Sequence, residues 1–359
     1  MRAYGHLWSV ALLIAPPLSR DPDLPIVTDE AEAAIEILDQ RLAGRPVAEA
    51  SWRKLFSTEG YHRLKSREAA MGRAFEDSAF RAFMMSDTLL RRTADLRRTL
   101  DSWRNTDLGT ARRKALAYLP AGTRIRAKVY LLVKPRPNSF VFEVDSDPAI
   151  MLYLDPSRTT AQLENTVAHE LHHIGYARAC HSAPDVKDSA VAVARHWLGA
   201  FGEGVAMLAA AGSPVVHPHA ASPTQDRRRW DRDVANAGAD LRRVESFLLD
   251  IIDGRLTDPD SITQAGMSFF GVQGPWYTVG WVMASTVERE AGRAALVAAL
   301  CEPARLLAAY NAAARGRSAP ARPLWSERLI ARISPGARRR GRGAPGARRR
   351  SLRWCNRRR

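Results

Sequence analysis

The stretch His169-Glu170-Leu171-His172-His173 carries the pattern H-E-x-x-H. Two imidazoles four residues apart share one face of a helix, where both can bind a single Zn2+. Glu170, next to the first of them, then stands beside the metal as a general base for attack by water. A catalytic zinc takes three protein ligands and keeps one position for water. His169 and His173 supply two. Glu203 is the best third, because it is the only acid between Ser189 and Gln225 and sits in the apolar run Phe201-Gly202-Glu203-Gly204-Val205-Ala206-Met207. A carboxylate in such a run is costly unless it is exposed, paired or bound to metal. The alternative for Glu203 is a solvated face and an Arg partner. Gly202 and Gly204 are expected to let this helix come close to the motif helix.

The other candidates are weaker. His196 precedes Glu203 by seven residues and could be a ligand, a supporting group or a satisfied polar residue beside Trp197. His217 and His219 flank Pro218 in a loop and read as solvated. His172 points about a hundred degrees away from the ligand pair, which suits packing or a hydrogen bond. His181 is weaker still. Cys180 lies seven residues past His173, either as a ligand or as a small buried hydrophobe. Cys180, Cys301 and Cys355 are too few and too scattered to suggest a disulfide framework or a Cys-based zinc site. A metzincin would need a third His at position 179, which is Ala179.

The elements that must position these groups are legible in part. Residues 28–118 read as helical throughout. Arg124 to Lys134, Ser139 to Val144 and Ala149 to Leu154 read as strands, the first two split by Pro135-Arg136-Pro137-Asn138. The motif helix follows this small sheet. Thr159 with Gln162 three residues later suggests its capping box, and Gly175 lies near its end. Asp188 to Ala211 reads as one long helix, 212–223 as loop, and Asp226 to Ile252 as another helix. Gly274-Pro275 opens a helix to about Ala291, and Gly292 to Ala314 continues as helix. No internal repeat is present.

At 359 residues and 46% hydrophobic, the chain can build a large core. Its formal charge of +16 suggests nucleic acid, but residues 336–359 hold eleven Arg and no acid, leaving about +5 elsewhere. Only Trp354 is aromatic in that tail, so stacking recognition has little support and no specific nucleic-acid partner is expected. The tail reads as solvated and disordered. The apolar run Leu7 to Ala15 behind Arg2 looks like a short signal peptide or a buried N-terminal segment, and it favours export over a cytoplasmic place. It is too short to span a bilayer, and no later segment reads as transmembrane. The expected organisation is an N-terminal apolar segment (1–25), a helical region (26–120), a catalytic domain (121–334) and the Arg-rich tail (335–359).

HELHHIGY (169–176), the Gly-Glu-Gly segment (202–204) and the helix from Gly274-Pro275-Trp276-Tyr277 through Ala284 resemble the zincin metallopeptidases of gluzincin type. Within that group they look like bacterial zinc-dependent proteases catalogued as domains of unknown function. Phe56 to Tyr61 and Arg67-Glu68-Ala69 fit the same group. The resemblance implies a mostly helical α+β zincin-like fold, with the small sheet packed on the active-site helix. It implies one Zn2+ on His169, His173 and Glu203, Glu170 as general base, and a peptide or protein substrate. Tyr277 is the candidate second donor to the oxyanion; the alternative is a core aromatic with a satisfied hydroxyl. The strand Ala149 to Leu154, just before the motif helix, is implied to edge the cleft and to pair with substrate. One departure is that the position four past Glu203 is Met207, where thermolysin-like enzymes carry an Asp. A zinc hydrolase of a non-peptide amide or ester, and an inactive zincin-like binding protein, remain the alternatives.

Overall fold

The structure, a computed structural model, describes residues 21–180, 188–316 and 323–334. The signal-like run, His181 and the Arg-rich tail lie outside the described residues. The fold is α+β and mostly helical, as expected, with one four-stranded sheet among the described residues.

The chain enters through β1 (Ile26–Val27) and runs into seven helices: α1 (Asp29–Leu42), α2 (Glu49–Phe56), α3 (Glu59–Ala70), α4 (Asp77–Met84), α5 (Asp87–Leu90), α6 (Thr93–Trp103) and α7 (Gly109–Leu116). The sheet follows with β2 (Lys128–Leu132), β3 (Phe140–Phe142) and β4 (Ala149–Tyr153). Its order is β1-β2-β4-β3, with β1 and β4 parallel to β2 and β3 antiparallel to β4. Val129 to Leu132 and Ala149 to Leu152 are all buried, the pattern of strands covered on both faces. Helices α1 and α3 pack on β2. At the start of α1 the fully buried Glu30 accepts a hydrogen bond of 2.8 Å from the Val133 amide. Burial pushes its carboxyl up to about 8, so it is neutral at pH 7.

The sheet corrects one expectation. β4 has β2 on one side and β3 on the other, so its backbone groups are engaged and it cannot edge a cleft or take an added strand. The outer strand next to it is β3.

The motif helix α8 (Thr160–Ala179) starts as expected. The Thr159 hydroxyl accepts from the Gln162 amide, and the Gln162 side chain accepts from the Thr159 amide at 2.8 Å. Gly175 does not stop it. A Cβ there would meet Leu119 Cδ1 at 2.2 Å, so this glycine lets Leu119 and Ile125 close onto the helix. α8 packs on β3 and β4 and is flanked by α7 and by α10.

The expected long helix 188–211 is two: α9 (Ser189–Leu198), a 3-10 turn (Gly199–Phe201) and α10 (Gly202–Ala211), closed by Gly212 at φ 82°. The stretch 226–252 is also split at Asn236, into α11 (Thr224–Ala235) and α12 (Ala237–Ile252). α13 (Pro259–Ser268) was not evident from the sequence pattern. α14 (Pro275–Ala291) starts and ends where Gly274-Pro275 and Gly292 place it. α15 (Arg293–Ala299), α16 (Pro303–Arg315) and α17 (Glu327–Ile333) complete the chain, with Pro303 separating the first two.

Cys180 and Cys301 form a disulfide across 121 residues of sequence. Neither a lone buried cysteine nor a zinc ligand describes Cys180. It ends the motif helix and ties that end to the turn between α15 and α16. Closing so long a loop stabilises the folded chain by about 5 kcal/mol in the chain-entropy model. Denaturant unfolding with and without reductant is expected to show a loss on the order of 3–5 kcal/mol on reduction, and the same in Cys301→Ser. An unchanged midpoint would contradict a structural role for the bridge.

Candidate metal centre

Three side chains from two helices converge. His169 and His173, one turn apart on α8, point Nε2 atoms at each other across 3.0 Å. Oε2 of Glu203, from the first turn of α10, lies 3.1 Å from the His169 Nε2 and 3.2 Å from the His173 Nε2. Among the described residues this is the set of donors able to hold a metal ion, its ligand atoms all within 4.8 Å of one another. Tetrahedral zinc with bonds of roughly 2.0–2.1 Å separates its donors by about 3.3 Å. The observed triangle matches one face of such a tetrahedron. Two imidazole nitrogens and a carboxylate oxygen are also the donor chemistry that zinc prefers. The residues present therefore fit a zinc ion.

The sequence explains why they meet. α8 presents His169 and His173 at i and i+4. The break at Gly199 and the 3-10 turn after it redirect the chain so that α10 starts beside α8, with Glu203 in its first turn. A helix N-terminus favours a carboxylate there. Gly204 plays a different part from the expected one. A Cβ on it would meet the Trp281 amide nitrogen at 2.1 Å and the Gly280 Cα at 2.5 Å, so it lets α10 touch the backbone of α14 rather than α8. Gly202 meets nothing within 4 Å. The α10–α14 contact fixes the height and rotation of α10, and hence of Glu203.

His169, Glu170 and Glu203 are buried, at 8, 5 and 8% exposure, yet His169 and Glu170 line a cleft of 1390 Å3. On the same wall stand Asn165 and Gln162, nearly two turns of α8 upstream at most, and Met207 of α10. Met207 stands where a supporting Asp was missed in the sequence, and the buried Nδ1 of His169 has no hydrogen-bond partner among the described residues. Tyr277, 5% exposed in the first turn of α14, also lines the cleft, and its ring stacks on His169 at 6.4 Å between centroids.

The remaining histidines sort clearly. His172 is fully buried on another face of α8, stacked on Tyr176 and facing the Tyr118 carbonyl. Burial pushes its pKa down to about 3, so it is a neutral packing residue. His196 is exposed and outside the cluster. His217 pairs with Asp231 at 3.0 Å near the surface. His219 departs from the solvated reading. It is 8% exposed and lines the cleft, with Nδ1 3.0 Å from the Ser222 hydroxyl and Nε2 2.7 Å from the Gln273 amide nitrogen. Burial lowers its pKa to about 4, which suits a neutral ring bridging two loops of the cleft wall. No local spacing marked it, because Gln273 lies 54 residues away.

Substituting Gly204 by Ala is expected to force α10 off α14, because backbone atoms that cannot rotate away stand in the Cβ position. Stability should fall by roughly 1–3 kcal/mol, and zinc affinity, measured by competition with a chelating dye, by about tenfold or more. Wild-type affinity in a folded Gly204→Ala protein would show that this contact does not set Glu203.

No curated protein and no solved structure matches the chain. Residues 52–319 match the family described as "Putative zinc dependent peptidase (DUF5700)". That span takes in the chain from within α2 onward, strands β2, β3 and β4 of the sheet, the converging His169, His173 and Glu203, and the helix that carries Tyr277, and the chain belongs to this family.

Proposed function

We propose that this protein is a zinc metallopeptidase of zincin-like, gluzincin type, and that His169, His173 and Glu203 hold one Zn2+. The convergence of two imidazole nitrogens and one carboxylate oxygen within 3.0–3.2 Å of one another, on the wall of a large cleft, carries this reading. Zinc held there would supply a Lewis acid that acidifies water and polarises a substrate carbonyl.

The chain's own groups do the rest. Glu170 adjoins His169 on α8 and lines the cleft, so its carboxylate can take a proton from the attacking water and return it to the leaving amine. Tyr277, stacked beside His169, is the candidate donor to the oxygen on which charge develops. The cleft exceeds the roughly 300–1,000 Å3 of small-molecule sites, which favours an extended peptide over a small amide or ester.

The Cys180–Cys301 bridge supports an oxidising compartment, in line with an exported protein. No helix among the described residues is long and apolar enough to cross a membrane.

Replacing Glu170 by Gln preserves shape and removes the base. Zinc content should stay at one per chain while kcat on a cleavable peptide falls by about 10^2–10^4. Cleavage at the wild-type rate would exclude Glu170 as the base.

A further inference from the structure

Most neutral polar side chains that line the cleft spend their hydrogen bonds inside the protein. The hydroxyls of Thr166, Thr263 and Ser268 donate to carbonyls of their own helices, and the His219 ring engages Ser222 and Gln273. Asn165 does not. It lines the cleft on α8, partly buried, and its carboxamide has no hydrogen-bond partner among the described residues. The two N–H donors and the carbonyl oxygen of that group therefore remain available. Gln162, three residues earlier, gives its Oε1 to the Thr159 amide, and its Nε2 likewise has no partner among the described residues.

Asn is a poorer helix former than Ala because its side chain competes for the backbone, and Asn165 makes no such bond in return. A local preference given up with no local return points to a functional position. Gln162, Asn165 and His169 stand at i, i+3 and i+7, in line along the face of α8 that meets the cleft. Among the described residues, nothing on α8 after Glu170 lines the cleft, so along this helix the open path leads from the metal ligands towards Gln162. Asn165 precedes His169 by about 6 Å along the helix axis, and an extended peptide advances about 3.3 Å per residue. A substrate cut beside His169 and Glu170 therefore brings its main chain abreast of Asn165 about two residues from the scissile bond.

We propose that Asn165 is a main-chain clamp, its carboxamide pairing with a backbone amide of the substrate about two residues from the scissile bond. This deepens the hydrolytic reading above and rests on it. It names the substrate as an extended peptide that carries a further amide on that side of the cut, which a lone amide or ester does not. Backbone amides are common to all residues, so the clamp grips the chain whatever its side chains.

The test uses the full-length, zinc-loaded protein, one cleavable peptide, and versions of it in which each non-scissile amide in turn becomes an ester. That change removes one N–H and weakens the adjoining carbonyl as an acceptor. Wild type is expected to lose about tenfold in kcat/KM, chiefly through KM, at one position about two residues from the cut. Asn165→Ala should lose about tenfold on the parent peptide, keep one zinc per chain, and be indifferent to the ester at that position alone. Ala favours the helix, so the variant should fold. A merely structural role for Asn165 would lower the rate on every peptide alike and leave the position effect intact. Unchanged kcat/KM in Asn165→Ala, or an ester cost equal in both proteins at every position, overturns the clamp. Fluorescence anisotropy of labelled peptides on Glu170→Gln, with and without Asn165→Ala, reads the same comparison as affinity, without turnover. If nothing is cleaved but binding shows the loss of about tenfold at one position only while Asn165 is present, the clamp stands and the hydrolytic reading falls. Absence of both cleavage and binding overturns both.

Discussion

A carboxylate held at 8% exposure against two imidazoles is the constraint around which this molecule is arranged. Glu203 opens a helix whose next seven residues, Gly204 to Ala210, are all buried. Taking such a charge out of water costs several kcal/mol unless strong partners replace the solvent. The Nε2 atoms of His169 and His173 meet it, and three lone-pair donors at 3.0–3.2 Å satisfy one another best around a cation. The family to which the chain belongs carries zinc in its description, and the donor set agrees with that on independent, geometric grounds.

Most of the fold holds the three donors in register. α8 is anchored at its start by the Thr159–Gln162 capping box, along its length by Leu119 and Ile125 closing over Gly175, and at its end by the disulfide to Cys301. α10 is held from the opposite side by the backbone contact of Gly204 with Gly280 and Trp281. α14 therefore does two things. It sets α10, and through its first turn it brings Tyr277 beside His169. The proposed oxyanion donor and the support of a proposed metal ligand thus lie on one rigid element, the arrangement that keeps a site within a fraction of an ångström of its working geometry.

Local chemistry in the sequence pointed to side chains that the fold brings together and was a poor guide to long-range partners. His169, His173 and Glu203 could be proposed because an i, i+4 pair and a lone acid in an apolar run are visible in a short window. The capping box and the Gly274-Pro275 helix start are equally local. What escaped depends on residues far apart in sequence. β1 is two residues long and exists by pairing with β2, about a hundred residues on, and β4 is interior because β2 and β3 flank it. The 121-residue spacing of Cys180 and Cys301 says nothing about distance in space. The same is true of His219 and Gln273. Helix breaks at Gly199 and Asn236 were hidden because apolar periodicity continues through them. The Gly204 contact was assigned to the wrong neighbour, since a glycine marks a close approach but not which helix approaches.

The ligand set can be read directly by zinc K-edge X-ray absorption on the purified full-length chain, alongside metal analysis. One zinc per chain is expected, with two imidazole nitrogens and a carboxylate oxygen among its neighbours, and the signal should be lost in His173→Ala. Substoichiometric zinc in the wild type, or a first shell without imidazole, would contradict a metal centre at His169, His173 and Glu203.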